Sequence, residues 1–114
     1  MNSFPRSHRL TRASEFDAMR RDGSRVAGRL PDLDVRSAPS GRPHPRVGII
    51  VPRYKHSAVD RNRLKRRLRE LIRTQLLPTL PPIDVVVRAF PSAYNAGFDG
   101  LAEQIGRVRQ AIRT

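Results

Sequence analysis

The chain has 114 residues, and its 23 lysines and arginines against 10 acids give a formal net charge of +13, which favours a polyanionic partner such as nucleic acid. It contains no cysteine, so disulfides, thiolate metal sites and a cysteine nucleophile are excluded. The length suits one domain with one modest core. Because neither a signal peptide nor an apolar run of about 20 residues occurs, the sequence predicts a cytoplasmic protein without a membrane partner.

The first residues predict a basic, flexible terminus followed by a short helix. Residues 1–13 are irregular in pattern and rich in arginine, and we expect them to be flexible. Ser14 is a residue type that caps helices, so a helix is expected from there to Asp22, where a glycine ends it. One face of this helix would carry Phe16 and Met19.

The middle of the chain predicts strands separated by turns. Residues 25–37 alternate weakly between apolar and polar types and indicate one or two short strands, with Pro31 at an edge or a break. Residues 38–45 are rich in turn-forming types and predict a loop. Residues 46–52 form a compact apolar run, which is typical of a strand, and a basic crossover follows at 53–57.

The second half predicts a long helix, a strand and a closing helix. Ser57 is expected to start the long helix with Asp60 as its capping partner, and the helix should end before Pro78. Residues 84–87 with Ala89 predict a buried strand, and the intervening helix favours a parallel pairing with the previous strand. The closing helix follows a turn at 91–97 and carries an apolar stripe of Leu101, Ile105, Val108 and Ile112.

The long helix combines an apolar stripe with a dense row of positive charge. Seven of the 13 residues from Arg61 to Arg73 are Lys or Arg, and Glu70 is the only acid among them. At roughly 100° per residue, one side collects Leu64, Leu68, Leu71, Ile72 and Leu76, and the other side collects Asn62, Arg66, Arg69 and Arg73. A solubilising surface would alternate in sign, and like charges three or four residues apart destabilise a helix. The pattern therefore favours phosphate binding.

Four blocks of this sequence together resemble the protein subunit of bacterial ribonuclease P. The segment at 46–70, RVGIIVPRYKHSAVDRNRLKRRLRE, is similar to the family's signature, in which an Arg-Asn-Arg run opens a basic helix after a strand and a basic crossover. Similar blocks occur at 9–16, RLTRASEF, at 21–29, RDGSRVAGR, and at 84–93, DVVVRAFPSA. The resemblance implies one α+β domain over residues 1–114, an αβββαβα two-layer sandwich with a left-handed βαβ crossover, like ribosomal protein S5 domain 2.

The family's function follows as an implication of this resemblance. The protein joins a catalytic RNA that removes the 5′ leader of precursor tRNA, and the RNA with its bound Mg²⁺ ions carries out the hydrolysis. The holoenzyme is then an endoribonuclease, whereas no residue of this chain is expected to be catalytic or to bind a metal. The expected partners are the catalytic RNA of ribonuclease P and precursor tRNA, with no DNA.

The resemblance also implies two sets of contact residues. The catalytic RNA would be bound by the basic helix and the crossover before it, through Arg53, Lys55, Arg61, Asn62, Arg63, Lys65, Arg66, Arg67 and Arg69. The leader would lie in a cleft between the first helix and the sheet, lined by Phe16, Met19, Arg20, Val35, Arg46 and Val87. The sequence departs from the family pattern at several positions: Arg20 stands where a second aromatic is common, and Phe90 stands where the last strand commonly has an arginine. The crossover, which is commonly two lysines followed by a glycine two residues on, here has Tyr54 and His56 and lacks the glycine, and Asp60 places a carboxylate just before Arg61.

Two other functions remain open at this point. One is a non-catalytic RNA-binding module, such as a ribosomal protein or an RNA chaperone, since a basic surface alone suits any RNA. The other is a DNA-binding protein that lays its basic helix in the major groove, although the apolar stripe of that helix is needed for packing on its own sheet. A nuclease acting without RNA is disfavoured, because the three histidines are scattered and the ten acids form no paired or clustered motif.

Overall fold

The computed structural model describes residues 8–53 and 57–113. Its helices and strands in chain order are α1 (Ala13–Asp22), β1 (Ser24–Arg25), β2 (Leu33–Pro39), β3 (Arg46–Ile50), α2 (Ala58–Leu71), β4 (Ile83–Ala89) and α3 (Gly97–Arg113). A π turn at Ile72–Leu76 and a 3-10 turn at Leu77–Thr79 continue α2, and a 3-10 turn at Pro91–Asn95 precedes α3. The predicted α+β class and the element order αβββαβα are confirmed.

The four strands form one mixed sheet in the order β1-β2-β4-β3. β1 pairs with β2, and β2 with β4, in antiparallel fashion, whereas β3 and β4 are parallel. The parallel pair is joined by α2, as the sequence predicts, because parallel strands need a long crossover connection. The left-handed sense of that crossover stays a prediction from the family resemblance.

The two faces of the sheet are covered unequally. The main core lies on one face, where α2 and α3 pack against the strand residues Val35, Val47, Val85 and Val87 to form the sandwich. α1 covers part of the other face, where Phe16 and Met19 pack with Val86 in a smaller cluster. Because most of the apolar surface is buried in the main core, that side carries most of the hydrophobic stabilisation. The face under α1 is left partly open.

α2 begins and packs as predicted. Ser57 caps the helix, since its Oγ accepts a hydrogen bond of 3.2 Å from the backbone N–H of Asp60. The predicted apolar stripe is buried along its whole length, with no member more than 2% exposed: Leu64, Leu68, Leu71, Ile72 and Leu76. Regular winding changes to the π turn after Leu71, and Pro78 falls inside the 3-10 turn, because proline is tolerated in a first helical turn but not in a helix interior.

α3 is tied to the strand region by one buried polar side chain. The Oε1 of Gln104 accepts a hydrogen bond of 3.0 Å from the Asp32 N–H, and its Nε2 donates one of 2.8 Å to Asp32 Oδ2. Gln104 is almost fully buried, so these bonds avoid the cost of an unpaired amide in the core. The predicted stripe on α3 is confirmed: Leu101, Ile105 and Val108 are buried, and Ile112 packs at the core's edge. No helix in the described ranges is long and apolar enough to cross a membrane.

The N-terminal segment before α1 is paired with the sheet at Leu10. Leu10 is buried, and its N–H donates to the carbonyl of Val47 on the edge strand β3 at 3.0 Å. This pairing holds the chain extended up to Arg12, so α1 begins at Ala13, and Ser14 does not cap it. Residues 8–12 therefore have a defined place beside β3, and residues 1–7 lie outside the described part of the chain. The flexibility expected of residues 1–13 stays a prediction.

The strand boundaries also shift. The predicted strand region at 25–37 is split into β1 and β2, with Pro31 in the connection between them. Ala38 and Pro39 were expected in a loop but extend β2, because they pair with the first residues of β4. β3 ends at Ile50 instead of residue 52, since Pro52 has no N–H for a sheet hydrogen bond.

Candidate nucleic-acid interface

The outward face of α2 is a cationic ridge, defined here as Arg63, Lys65, Arg66, Arg67 and Arg69. The buried stripe on the opposite side fixes the orientation of the helix, so these side chains are directed away from the core. Within residues 8–53 and 57–113, none of the five forms an ion pair. Asn62 is also exposed on this surface. The structure therefore brings these six predicted contact residues together on one face.

Glu70, the only acid from Arg61 to Arg73, does not neutralise the ridge. Glu70 is paired with Arg73, whose Nη2 and Nε donate hydrogen bonds of 2.5 and 3.2 Å to its carboxylate. The hydrogen bond from Arg73 lowers the pKa of the Glu70 carboxyl and Glu70 in turn raises the pKa of Arg73. Since these two charges cancel, Glu70 does not compensate the five cations of the ridge, and the other acid of α2, Asp60, lies in the first turn of the helix. Such an arrangement is stabilised by an external polyanion.

Arg61, the first arginine of the Arg-Asn-Arg run, has its Nε atom buried in the body of the protein. It is half-buried, and its charge acts on Tyr94, whose hydroxyl donates a 2.5 Å hydrogen bond to the Pro52 carbonyl. Burial raises the pKa of Tyr94, while the nearby Arg61 charge lowers it and Asp60 raises it. Arg61 therefore lies at the base of the ridge, beside the start of the crossover.

Beside Arg61, a small polar cavity of about 230 Å³ opens at the N-terminal end of α2. Its lining comprises Asp60, Arg63, Leu64, Arg67 and Tyr94, so it presents two guanidinium groups and one carboxylate near an aromatic ring. Arg53, in the crossover, is exposed. Lys55 lies outside the described residues.

On the opposite face of the sheet, α1 and the strands enclose a groove of about 200 Å³. Its lining comes from four elements: Phe16, Asp17, Met19 and Arg20 of α1, Asp34 and Arg36 of β2, Ile50 of β3, and Val86 and Arg88 of β4. The predicted cleft residues Phe16, Met19 and Arg20 are thus brought together. The apolar side chains form a strip flanked by arginines, which suits a base on an apolar surface and a phosphate at its rim.

Two of the predicted cleft residues lie on the wrong face of the sheet. Val35 and Val87 are directly paired across β2 and β4, and both are completely buried in the core under α2 and α3. Side chains alternate between the faces of a strand, so it is their neighbours that reach the groove. The alternation of charged and apolar residues around Val35 was the signal for this, since Asp34 and Arg36 belong on the open face.

Arg46 also has a role other than the predicted one. Its Nε and Nη2 donate to the two carboxylate oxygens of Asp84 at 3.0 and 2.8 Å, and its Nη1 donates to Glu15 Oε2 at 2.7 Å. The hydrogen bonds to Asp84 are the largest cause that raises the pKa of Arg46. With its side chain only 12% exposed, Arg46 is an internal clamp that fastens α1 to β3 and β4. It does not line the groove.

The groove keeps a positive charge despite its two acids. Asp17 is paired with Arg20 at 2.9 Å, and Asp34 lies between Arg36 at 3.2 Å and Arg25 at 3.5 Å. Arg88, which the sequence-based assignment missed, is exposed on the groove floor and makes no ion pair with any described residue. It is therefore the cation of the groove that is most available to a phosphate.

The groove and the ridge meet around the edge strand β3. Phe16 lines the groove on one side and, on the other, a second cavity of about 260 Å³ that Lys65 and Arg69 of the ridge also line. The N-terminal segment contributes Arg9 and Leu10 to the same cavity. A nucleic acid bound in the groove would therefore reach the ridge past Phe16, along a surface that is lined by cations.

The described residues form no cluster that would hold a metal ion by themselves. Among residues 8–53 and 57–113 there is no group of three or more His, Cys, Asp or Glu side chains close enough to coordinate one. The carboxylates of Asp34, Asp84 and Glu15 are each bound by arginine. The site therefore offers cations and apolar surface for binding an anion.

Comparison with known proteins identifies the family. The Ribonuclease P family model matches residues 4–113, almost the whole chain. The chain belongs to the ribonuclease P protein family. A ribonuclease P protein component from Acidothermus cellulolyticus is 39% identical over 104 residues, covering 91% of this chain and 87% of that protein. One from Mycolicibacterium gilvum is 40% identical over 105 residues, covering 89% and 82%.

Solved structures of ribonuclease P proteins share the fold. The protein from Thermotoga maritima matches with a TM-score of 0.75 at 24% identity, covering 93% of this chain and 96% of that one. The protein from Staphylococcus aureus matches with a TM-score of 0.72 at 24% identity, covering 93% and 92%. Of the departures from the ribonuclease P family pattern, two lie on the groove face: Arg20 on its α1 wall and Phe90 just beyond its floor. Tyr54 and His56 lie outside the described residues.

Proposed function

We propose that this chain binds the catalytic RNA of ribonuclease P through the cationic ridge and holds the 5′ leader of precursor tRNA in the groove. The holoenzyme cleaves the leader from the tRNA in the cytoplasm. The observation that carries this proposal is the pair of cationic surfaces, the ridge and the groove, on opposite faces of one sheet. A single RNA-binding surface would suit any basic module, whereas two surfaces suit a protein that joins a catalytic RNA to its substrate.

The ridge is suited to a structured RNA partner. Its four arginines make planar, multidentate hydrogen bonds to phosphate, and Lys65 adds a point charge. Because the apolar side of α2 is buried against the sheet, only the outward face is offered to the partner. Binding should depend strongly on salt, since each phosphate neutralised releases condensed counterions.

The groove is suited to a single strand. Phe16 presents a half-buried ring beside Ile50 and Val86, and on the same floor Arg88 offers a guanidinium that forms no ion pair with the described part of the chain. A stacked base on such a surface contributes about 1–3 kcal/mol and carries little sequence preference. A leader bound there makes the precursor bind more tightly than the product, because mature tRNA has lost the segment that the groove holds.

The chemistry of cleavage is assigned to the RNA. Mg²⁺ bound mainly by the RNA subunit would activate the attacking water and stabilise the leaving oxygen. This chain's residues contribute by binding and orienting: the ridge anchors the protein, and the groove fixes the leader beside the scissile bond. No proton transfer or nucleophilic attack is assigned to a residue of the protein.

The decisive experiment is reconstitution with the catalytic RNA at low Mg²⁺. The full chain should raise the rate of precursor tRNA cleavage well above that of the RNA alone, and cleavage should occur at the mature 5′ end. A protein that leaves the cleavage rate unchanged, with an RNA that is active at high Mg²⁺, would contradict the proposal. Persistent association with ribosomes after a high-salt wash would then favour a ribosomal role, and preferential binding of duplex DNA would favour a DNA-binding role.

A further inference from the structure

Phe90 continues the line of side chains that forms the floor of the groove. Its backbone N–H donates to the carbonyl of Asp32 at 2.8 Å, which extends the pairing of β4 with the β2 side of the sheet by one step beyond Ala89. Since side chains alternate along a strand, Phe90 lies on the same face as Val86 and Arg88. Its ring is 37% exposed, unlike the buried apolar residues of the core.

A cavity of about 320 Å³ lies in front of this ring. Leu30 and Leu33 form its apolar wall, Arg25 and Arg29 stand beside it, and Asp34 lines both this cavity and the groove. The two spaces are therefore neighbours that share one side chain.

The connection between β1 and β2 shapes the outer wall of this cavity. Ala27 and Gly28 both have positive φ, 65° and 60°, a left-handed conformation that turns the chain sharply. Gly28 itself lines the cavity, and the space around its Cα is open. The turn thereby leaves Arg25 and Arg29 on either side, next to the exposed ring.

We propose that Phe90 and its cavity form a second subsite for single-stranded RNA, which takes a leader nucleotide beyond those held in the groove. This inference rests on the proposed function of the groove. The base would stack on the Phe90 ring, and Arg29 would contact the adjoining phosphate. Residues two apart on one strand face are about 6.8 Å from each other, a step that one extended nucleotide can span from Arg88 to Phe90.

The charges favour RNA as the occupant. Arg25 and Arg36 balance Asp34, while Arg29 is exposed and forms no ion pair within the described ranges. The subsite therefore consists of an aromatic ring and a cation that has no ion-pair partner among the described residues. It lies next to the positively charged groove. A purely apolar protein partner would leave that cation unsatisfied.

The test uses the reconstituted holoenzyme and a series of precursor tRNAs whose leaders grow by one nucleotide at a time. Wild-type affinity should rise in two stages, first as the leader fills the groove and again as it reaches Phe90. Phe90→Ala should lose only the second stage, by about fivefold to tenfold, the lower range of one stacked base. Phe90→Tyr should retain it, and an abasic nucleotide at the second-stage position should reproduce the loss in the wild-type enzyme.

Phe98→Ala is the matched control, because Phe98 is 46% exposed at the start of α3 and lines neither cavity. It should leave both stages unchanged, and thermal unfolding should show that both alanine variants are folded. A wild-type curve without the second stage, or an undiminished second stage in Phe90→Ala, would overturn the subsite while leaving the groove intact. The absence of any leader-dependent gain would overturn the proposed function of the groove as well.

Discussion

Phe16 occupies the space that a side chain at position 48 would need. A Cβ added to Gly48 would stand 2.8 Å from Cζ of the Phe16 ring and 3.0 Å from Cβ of Leu10, both below ordinary contact distance. The glycine thus lets an aromatic ring lie directly on the backbone of β3. Because Phe16 faces both the groove and the cavity at the β3 edge, this contact fixes the ring between the groove and the ridge.

Gly48→Ala should therefore displace Phe16. We expect a loss of about 1–3 kcal/mol in unfolding free energy from overpacking, together with weaker binding of leader-bearing tRNA relative to mature tRNA. Gly106→Ala is the matched control, because no atom lies within 4 Å of its added Cβ in α3. That change should stabilise the protein by up to about 1 kcal/mol. Equal effects of the two substitutions in denaturant unfolding would refute the packing argument.

The ridge should dominate binding to the catalytic RNA. Arg63→Ala combined with Arg66→Ala should weaken that binding and reduce the slope of log K against log salt by about 0.7 to 0.9 for each phosphate that the variant no longer neutralises. Arg42→Ala with Arg107→Ala removes the same charge from exposed positions off the ridge, and should change the slope far less. An identical slope for the two double variants in a salt titration would show that net charge, not position, governs binding.

Val87 and Phe16 should separate stability from leader recognition. Val87→Ala removes buried methyl groups from the main core and should cost about 2 kcal/mol in unfolding free energy, with the preference for precursor over mature tRNA retained. Phe16→Ala should lower that preference by about fivefold to a hundredfold. Binding of the two tRNAs to each holoenzyme gives the ratio. If both variants lose the preference for precursor tRNA to a similar extent, Val87 also contributes to leader binding.

The Arg46 clamp should be a major contributor to the attachment of α1. Arg46→Met leaves the carboxylates of Asp84 and Glu15 without their shared partner, and we expect about 2–4 kcal/mol of destabilisation, since breaking a buried ion pair strands its charges. Arg25→Met is the control, because its pairing with Asp34 is far more exposed and should be worth less than about 1 kcal/mol. Denaturant unfolding of both variants would measure the difference, and similar losses would argue against a clamp.

The phenol of Tyr94 should ionise at a higher pH than that of an exposed tyrosine. Burial raises its pKa, so the folded state favours the neutral phenol. This contribution to stability is fully present below the unfolded-state pKa of about 10 and is lost as pH rises through the higher folded-state value. An ultraviolet difference titration between the wild type and Tyr94→Phe should show this delayed ionisation. Tyr94→Phe should also lower the free energy of unfolding by about 0.5–1.5 kcal/mol, because the phenylalanine cannot donate a hydrogen bond to the Pro52 carbonyl. A Tyr94 that ionises at the same pH as an exposed tyrosine would contradict its burial.

Local patterns in the sequence predict the elements and the ridge, but not the contacts between distant segments. The stripe from Leu64 to Leu76 repeats at the helical period, so its burial and the outward direction of the arginines follow from spacing alone. The face of a strand is also encoded by alternation, and the assignment of Val35 and Val87 to the cleft ignored it. Arg46 is different, because its partners lie 31 and 38 residues away and only the folded chain brings them together.

The start of α1 is another feature that the local sequence does not predict. Ser14 has the chemistry of a helix cap, yet α1 begins earlier because Leu10 pairs with Val47 on β3. Tertiary pairing thus overrides a local preference worth about 1 kcal/mol. The place of Arg88 in the groove could not be predicted for a related reason. An isolated arginine at the end of an apolar strand becomes a candidate contact residue only when the fold shows that α1 leaves that face of the sheet open.

Because the sheet lies between the groove and the ridge, its thickness and that of the adjoining core set the distance between these two surfaces. Packed layers of secondary structure lie about 10 Å apart, and the rigid core between β4 and α2 cannot be compressed appreciably. If both RNA molecules bind as proposed, the protein acts as a spacer of fixed thickness. Each bound RNA then raises the effective concentration of the other, so that two modest contacts add up to tighter bivalent binding. The geometry of this bivalent binding is set by core valine and leucine side chains that contact neither RNA.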